Sequence, residues 1–168
     1  MEMRIMRSFG VAAALLLASG SAGAQAGAPA DAAAEAEVRV ETPTGALAGT
    51  LLLPSGPGPH PVALVIAGSG PTDRDGNSII GGRNESLRML AEGLAARGVA
   101  TVRYDKRGLG GSMAAGRPES ELRLDTYADD AAAWLRMLRA DARFSTVSVI
   151  GHSEGSLLGA RAAEAAGA

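Results

Sequence analysis

The chain has 168 residues, a formal charge of −2, 46% apolar residues and 20% charged residues. That balance fits one ordinary globular domain, and the lack of a basic stripe argues against a nucleic-acid surface. The absence of cysteine excludes disulfides, thiolate metal sites, a cysteine nucleophile and cysteine lipidation, and two histidines, His60 and His152, are too few for a histidine-rich metal site.

The first residues have the layout of an export signal. Arg4 and Arg7 form a weakly basic start, Phe9 to Ala18 is an apolar run, and Ala24-Gln25-Ala26 offers small residues for cleavage before Gly27. The run is too short to span a bilayer comfortably, so no integral membrane association is expected. Residues 1–26 are read as the signal peptide, 27–35 as a flexible segment and 36–168 as the folded part. The expected location is the periplasm or the external medium.

Glu37 to Glu41 and Ala46 to Leu53 read as strands joined by a turn at Thr42 to Gly45. Pro54 to Pro61 is a loop rich in Pro and Gly. Val62 to Ala67, VALVIA, is wholly apolar and suits a strand covered on both faces. Gly68-Ser69-Gly70-Pro71 ends it, and Thr72 to Asn84 reads as a long surface loop. Asn84 is placed to cap a helix over Glu85 to Arg97, with an apolar stripe of Leu87, Leu90, Ala91 and Leu94. Gly98 stands where a left-handed terminating residue belongs.

Val99 to Tyr104 is the next strand, followed by a loop from Asp105 to Ser112. Thr126 and Asp129 resemble a capping box for a helix reaching about Ala140, buried through Tyr127, Ala131, Trp134, Leu135 and Leu138. Thr146 to Ile150 is a short strand, and a last helix starts at Ser153. Strands alternating with helices predict an α/β fold with a mostly parallel sheet and right-handed crossovers.

The strongest local signal is Gly151-His152-Ser153-Glu154-Gly155, a G-x-S-x-G pattern between a strand and a helix. A sharp turn there strains the serine backbone and leaves no room for side chains two residues to either side, hence Gly151 and Gly155. Ser153 is the candidate nucleophile. Ser156 lacks the paired glycines. His152 is poorly directed to act as base for its neighbour, and His60 precedes the central strand. Fifteen residues follow Ser153 and contain no Asp and no His, while Glu164 lies far along the helix.

Acyl transfer also needs donors for an oxyanion. The backbone N–H of Glu154 is one candidate. Ser69 or Gly70, after Gly68, supplies the second, with the Ser69 N–H favoured. Asp105 and Arg107 either brace their loop with charge-assisted bonds or belong to a solvated charged loop. No Walker or Rossmann fingerprint marks a cofactor site, and Asp73 and Asp75 lack calcium-loop spacing, so neither cofactor nor metal is expected.

The segments GSGPTDRDGN, RYDKRGLGGS and GHSEGS together resemble secreted or periplasmic bacterial esterases of the α/β-hydrolase superfamily, and the broader serine aminopeptidase-like and lysophospholipase-like group. The likeness runs from about Val38 to the C-terminus. It implies Ser153 as nucleophile, Glu154 and Ser69 at the oxyanion positions, and a small acyl ester or related acyl substrate. It also implies an acid, a histidine and a cap that have no matching residue here. The expectation is therefore an inactive N-terminal portion, truncated after the elbow, whose acid and histidine lie in a continuation. A serine peptidase or other acyl hydrolase, and a noncatalytic binding protein, are the alternatives. The oligomeric state is not predicted.

The leader makes one testable prediction. Mass spectrometry of periplasmic or secreted material finds a mature start near Gly27; correctly localised protein that retains Met1 counts against cleavage.

Overall fold

The computed structural model describes residues 33–167. The signal peptide expected over residues 1–26 lies outside them. Five strands form one sheet: β1 (Ala34–Thr42), β2 (Gly45–Leu53), β3 (His60–Ile66), β4 (Ala100–Tyr104) and β5 (Phe144–Gly151). Three α-helices flank it: α1 (Ser86–Ala95), α2 (Leu124–Ala140) and α3 (Glu154–Ala165), with short 3₁₀ turns at Gly110–Ala115 and Glu119–Glu121.

The strand order is β1-β2-β4-β3-β5. β1 and β2 form the expected antiparallel hairpin, and β2 also runs antiparallel to β4. β4, β3 and β5 are parallel to one another. The chain is thus an α/β domain whose hairpin lies beside a parallel centre. β1 begins at Ala34, earlier than the Glu37 expected and inside the stretch read as flexible. The nine residues of β2 pair along its whole length, from Ala34 opposite Leu53 to Thr42 opposite Gly45.

Strand periodicity divides the core between the two faces. Leu51, Leu64, Ile66, Val102 and Tyr104 point toward α2 and α3. Leu52 and Val65 point the other way, where α1 covers the sheet through Leu87, Ala91 and Ala95. The buried stripe of α1 therefore follows an i, i+4, i+8 row. Leu90, expected within it, is exposed.

The helix starts also differ from expectation. Glu85, at φ 53°, is the N-cap of α1, and Asn84 still contributes by accepting the Ser86 N–H at 3.0 Å. The Asp75 carbonyl accepts the next two, from Leu87 and Arg88. In α2, Thr126 lies three residues inside the helix, where its Oγ1 accepts the Arg123 N–H at 3.3 Å; it is not the cap itself. Gly98 adopts φ 80°, as a terminating glycine should.

Trp134 is the largest fully buried side chain and is 0% exposed. Its ring lies 5.6 Å from that of Tyr104, centre to centre, and a Cβ on Gly49 would come within 3.1 Å of it. Glycine at position 49 thus lets α2 seat against β2. Trp134→Ala should cost about 3–5 kcal/mol in urea denaturation; a loss below about 1 kcal/mol would remove Trp134 from the centre of the core.

Candidate active site

β5 ends at Gly151 and α3 starts at Glu154, which leaves two residues to reverse the chain. Ser153 takes φ 54° and ψ −121°, a sparsely populated positive-φ conformation that costs a non-glycine residue about 1–3 kcal/mol. The turn is stitched from both sides. The His152 N–H donates to the Ile66 carbonyl at 3.0 Å, and the Gly155 N–H donates to the His152 carbonyl at 2.9 Å.

The two glycines have direct steric reasons. A Cβ on Gly151 would overlap the Gly155 carbonyl, and a Cβ on Gly155 would overlap the backbone carbonyls of Ile66 and Ala67. The pattern thus packs the start of α3 onto the end of β3 with no side chain between. Ser153 and His152 remain exposed. Ser156 turns its hydroxyl back to the Gly151 carbonyl at 2.8 Å, so that it serves the turn.

Gly68 and Ser69 follow β3 and lie beside this turn. A Cβ on Gly68 would stand 3.4 Å from the Ser153 Cβ and 3.0 Å from His152 Nδ1. Gly68, Ser69, His152 and Ser153 line a common cleft of about 290 Å³ with Ser86 and Leu87. A larger cavity of about 540 Å³ lies between the β1–β2 turn and α2, and Ser153 does not line it.

The charged residues that open the segment after β4, Asp105, Lys106 and Arg107, are buried, contrary to the solvated-loop alternative. Asp105 is 3% exposed and its carboxylate accepts four N–H donors: the backbone, Nε and Nη2 of Arg74, and the backbone of Gly111. Ser112 Oγ donates to the Asp105 carbonyl at 2.7 Å and accepts the Ala48 N–H at 2.9 Å. Arg107 forms a two-bond fork with Asp130 of α2 and reaches Thr44 Oγ1 at 2.7 Å. Burial pushes the Asp130 carboxyl above the ordinary carboxylate range, and Arg107 opposes the shift.

Lys106, between these two residues, points toward Ser69. Its Nζ donates to the Gly68 carbonyl at 2.5 Å and lies 4.0 Å from a carboxylate oxygen of Glu154. Burial pushes this ammonium below the usual lysine range, with Glu154 pulling the other way.

The sequence reading picked out Asp105 and Arg107 but missed their partners, Arg74 and Asp130, and missed Lys106. The usable signal was charge in apolar settings. Asp130 sits on the buried row of α2 between Tyr127 and Trp134, and Arg103 is buried inside β4. Arg103 is held by Asp75 and Glu35 at 3.2 and 3.0 Å. The segment from Thr72 to Asn84 is a surface loop, as expected, but its first part is held in place. Arg74 ties it to Asp105 after β4, Asp75 ties it to Arg103 of β4, and Asp73 stiffens it by accepting the N–H groups of Asp75 and Asn77.

His60 and Ser153 stand at opposite ends of the sheet. His60 opens β3 opposite Phe144, whereas Ile66 closes it opposite Gly151, a separation of roughly 20 Å for a strand of this length. Neither histidine side chain hydrogen-bonds to a carboxylate among the described residues. No helix among them is long and apolar enough to cross a membrane.

The chain matches the family described as Serine aminopeptidase, S33, over residues 80–168. It is similar to Esterase EstD of Thermotoga maritima, with 31% identity over 118 residues, covering 70% of this chain and 27% of that protein. Its fold is similar to the serine hydrolase XC6422 of Xanthomonas campestris, described as having no lid, with a TM-score of 0.60, 27% identity, and coverage of 79% of this chain and 56% of that one. It is likewise similar to an α/β serine hydrolase homologue from Coxiella burnetii, with a TM-score of 0.57, 25% identity, and coverage of 76% and 56%. The chain thus spans about a quarter of the length of that esterase and just over half of these two solved chains.

The buried pair between α2 and the loop after β4 makes a direct prediction. Asp130→Ala strands Arg107 without its carboxylate and should lower stability by about 3–5 kcal/mol. Urea unfolding checks this; an unchanged midpoint would show that the fork contributes nothing.

Proposed function

We propose the following chemistry for a chain that belongs to the serine aminopeptidase S33 family of α/β hydrolases: Ser153 is the nucleophile of a carboxylic ester hydrolase acting through an acyl-enzyme. The observation that carries this reading is the turn between β5 and α3. It holds Ser153 in a strained positive-φ conformation at the head of a helix, exposed to a cleft and packed against the end of β3.

The serine oxygen attacks the ester carbonyl, and the carbonyl oxygen gains negative charge as the tetrahedral intermediate forms. The Glu154 N–H lies in the first turn of α3, where backbone donors lack intrahelical partners and the helix dipole favours an anion. The Ser69 N–H makes no bond to another protein group among the described residues. These two donors are assigned to the oxyanion. Collapse expels the alcohol and leaves Ser153 acylated; water then releases the acid.

A serine hydroxyl needs a base held by an acid. His60 lies at the wrong end of the sheet, and His152 shares the tight turn with Ser153. We therefore assign the base and acid to residues of the whole protein other than these histidines, and expect the 168 residues alone to turn over ester poorly. The esterase similarity favours small acyl esters. The family's peptidase description favours aminoacyl amides as the second reading.

The test pairs short acyl esters with aminoacyl amides on the full-length protein, beside Ser153→Ala and Ser156→Ala. Ester turnover should exceed amide turnover, fall at least about 1,000-fold in Ser153→Ala and stay within about twofold in Ser156→Ala. Mass spectrometry should place a fluorophosphonate label on Ser153. Amide preference would move the assignment to a peptidase, and turnover that survives Ser153→Ala would overturn it.

A further inference from the structure

We propose that Lys106 is a positioning residue for the oxyanion site: its ammonium holds the Gly68–Ser69 peptide in the orientation that presents the Ser69 N–H. This rests on the assignment of Ser153 as nucleophile and of Ser69 and Glu154 as oxyanion donors.

The geometry begins with an unusual placement. A lysine side chain loses rotamer freedom and hydration when buried, so it is seldom enclosed without a partner. The Lys106 side chain is 6% exposed. The partner it has found is a backbone carbonyl, that of Gly68, at 2.5 Å. Its charged neighbour is the Glu154 carboxylate, at 4.0 Å, on a side chain 37% exposed. One ammonium therefore touches both segments that carry the assigned donors. It reaches Gly68, whose carbonyl belongs to the same peptide unit as the Ser69 N–H, and it attracts the side chain of Glu154.

The peptide unit transmits the effect. A trans peptide is planar, with its C=O and N–H pointing in opposite directions. Pulling the Gly68 carbonyl onto Lys106 directs the Ser69 N–H away from Lys106. Ser69 lines two clefts: one with Lys106 and Glu154, and one with Ser153. The bond on the first side fixes the donor available to the second. Without it, a segment with glycine on both sides of Ser69 has little to stop that peptide from rotating, since Gly70 already occupies a left-handed φ of 76°. The ammonium also adds a fixed positive charge near developing negative charge, in a buried setting where water screens it weakly.

Arg107 and Asp105, its immediate neighbours in sequence, have different work. Asp105 is saturated by Arg74 and Gly111, and Arg107 is committed to Asp130 and Thr44. Neither has a bond to the Gly68–Gly70 segment. Arg107 lines the same cleft as Ser69 and Gly70, but of the three consecutive charged residues only Lys106 bonds to the segment among the described residues.

The test uses the full-length protein and compares wild type, Lys106→Met, Lys106→Arg and Ser153→Ala on short acyl esters, with thermal unfolding to confirm folding. Lys106→Met keeps the aliphatic stem and removes the donor and the charge. It should lower kcat by about 10- to 100-fold, less than removal of an oxyanion donor itself, with KM within about twofold. Lys106→Arg keeps charge and donors and should recover at least about fivefold of that loss. A folded Lys106→Met enzyme with kcat within about twofold of wild type overturns the proposal. So does a raised KM at unchanged kcat, which would make Lys106 a substrate contact. If Lys106→Met does not fold, Lys106→Arg decides: a folded Arg variant with the same kcat as wild type supports the clamp, a folded one with a loss above about 100-fold despite its retained charge and donors overturns it, and one that also fails to fold assigns Lys106 to structure alone. Activity that persists in Ser153→Ala overturns the nucleophile assignment instead.

Discussion

A carboxylate that is 3% exposed must collect hydrogen-bond donors or destabilise the fold that buries it. Asp105 collects four, and their sources explain much of the arrangement around Ser153. Arg74 brings in the segment after β3 and continues to Glu37 and Thr50 of the hairpin. Gly111 brings in the loop after β4, where a Cβ on Gly110 would overlap the same carboxylate. The backbone of Asp105 is fixed as well, by its own N–H to Ala48 and by Ser112 on its carbonyl. One buried charge thus ties the hairpin, the loop after β3 and the loop after β4 into a single unit. The cost of burying it is offset only while all of these segments are in place.

That shared support bears on the backbone of Ser153. A serine at positive φ persists only where its surroundings overdetermine it. Here the Gly155 backbone rests against the last carbonyls of β3, and His152 is bonded to one of them. The turn cannot relax without separating α3 from the sheet. Leu158 and Ala162 hold α3 down through the main core, so the strain at one residue is opposed by apolar burial along the helix.

The sheet was legible because its residues follow simple periodicities. VALVIA announces a strand covered on both faces, and α1 and α2 lie on opposite sides of it as the alternation requires. Ser153 and its two glycines were legible for the same local reason: sterics within five residues specify the turn. The charge network was less legible, because its members come together only through the fold. Arg74 and Asp105 are thirty-one residues apart, and Arg107 and Asp130 twenty-three. The segment from Thr72 to Asn84 reads in sequence as a polar surface loop, which it is, and only the partners Arg103 and Asp105 reveal that its first part is docked. Periodicity also overreached at Leu90, where an apolar residue on the helical stripe faces outward because β2 is met by the smaller Ala91 and Ala95.

The three parallel strands convert these separate local solutions into one site. Parallel strands end on the same edge of the sheet, so the segments after β3, β4 and β5 emerge side by side. β3 lies between the other two, and its loop is therefore flanked by Lys106 on one side and by the turn of Ser153 on the other. The hairpin contributes no residue to the Ser153 cleft, yet Ala48 and Glu37 hold the charged loops that border it. Strand order thus decides which residues surround Ser153, and buried charge decides how firmly they are held there.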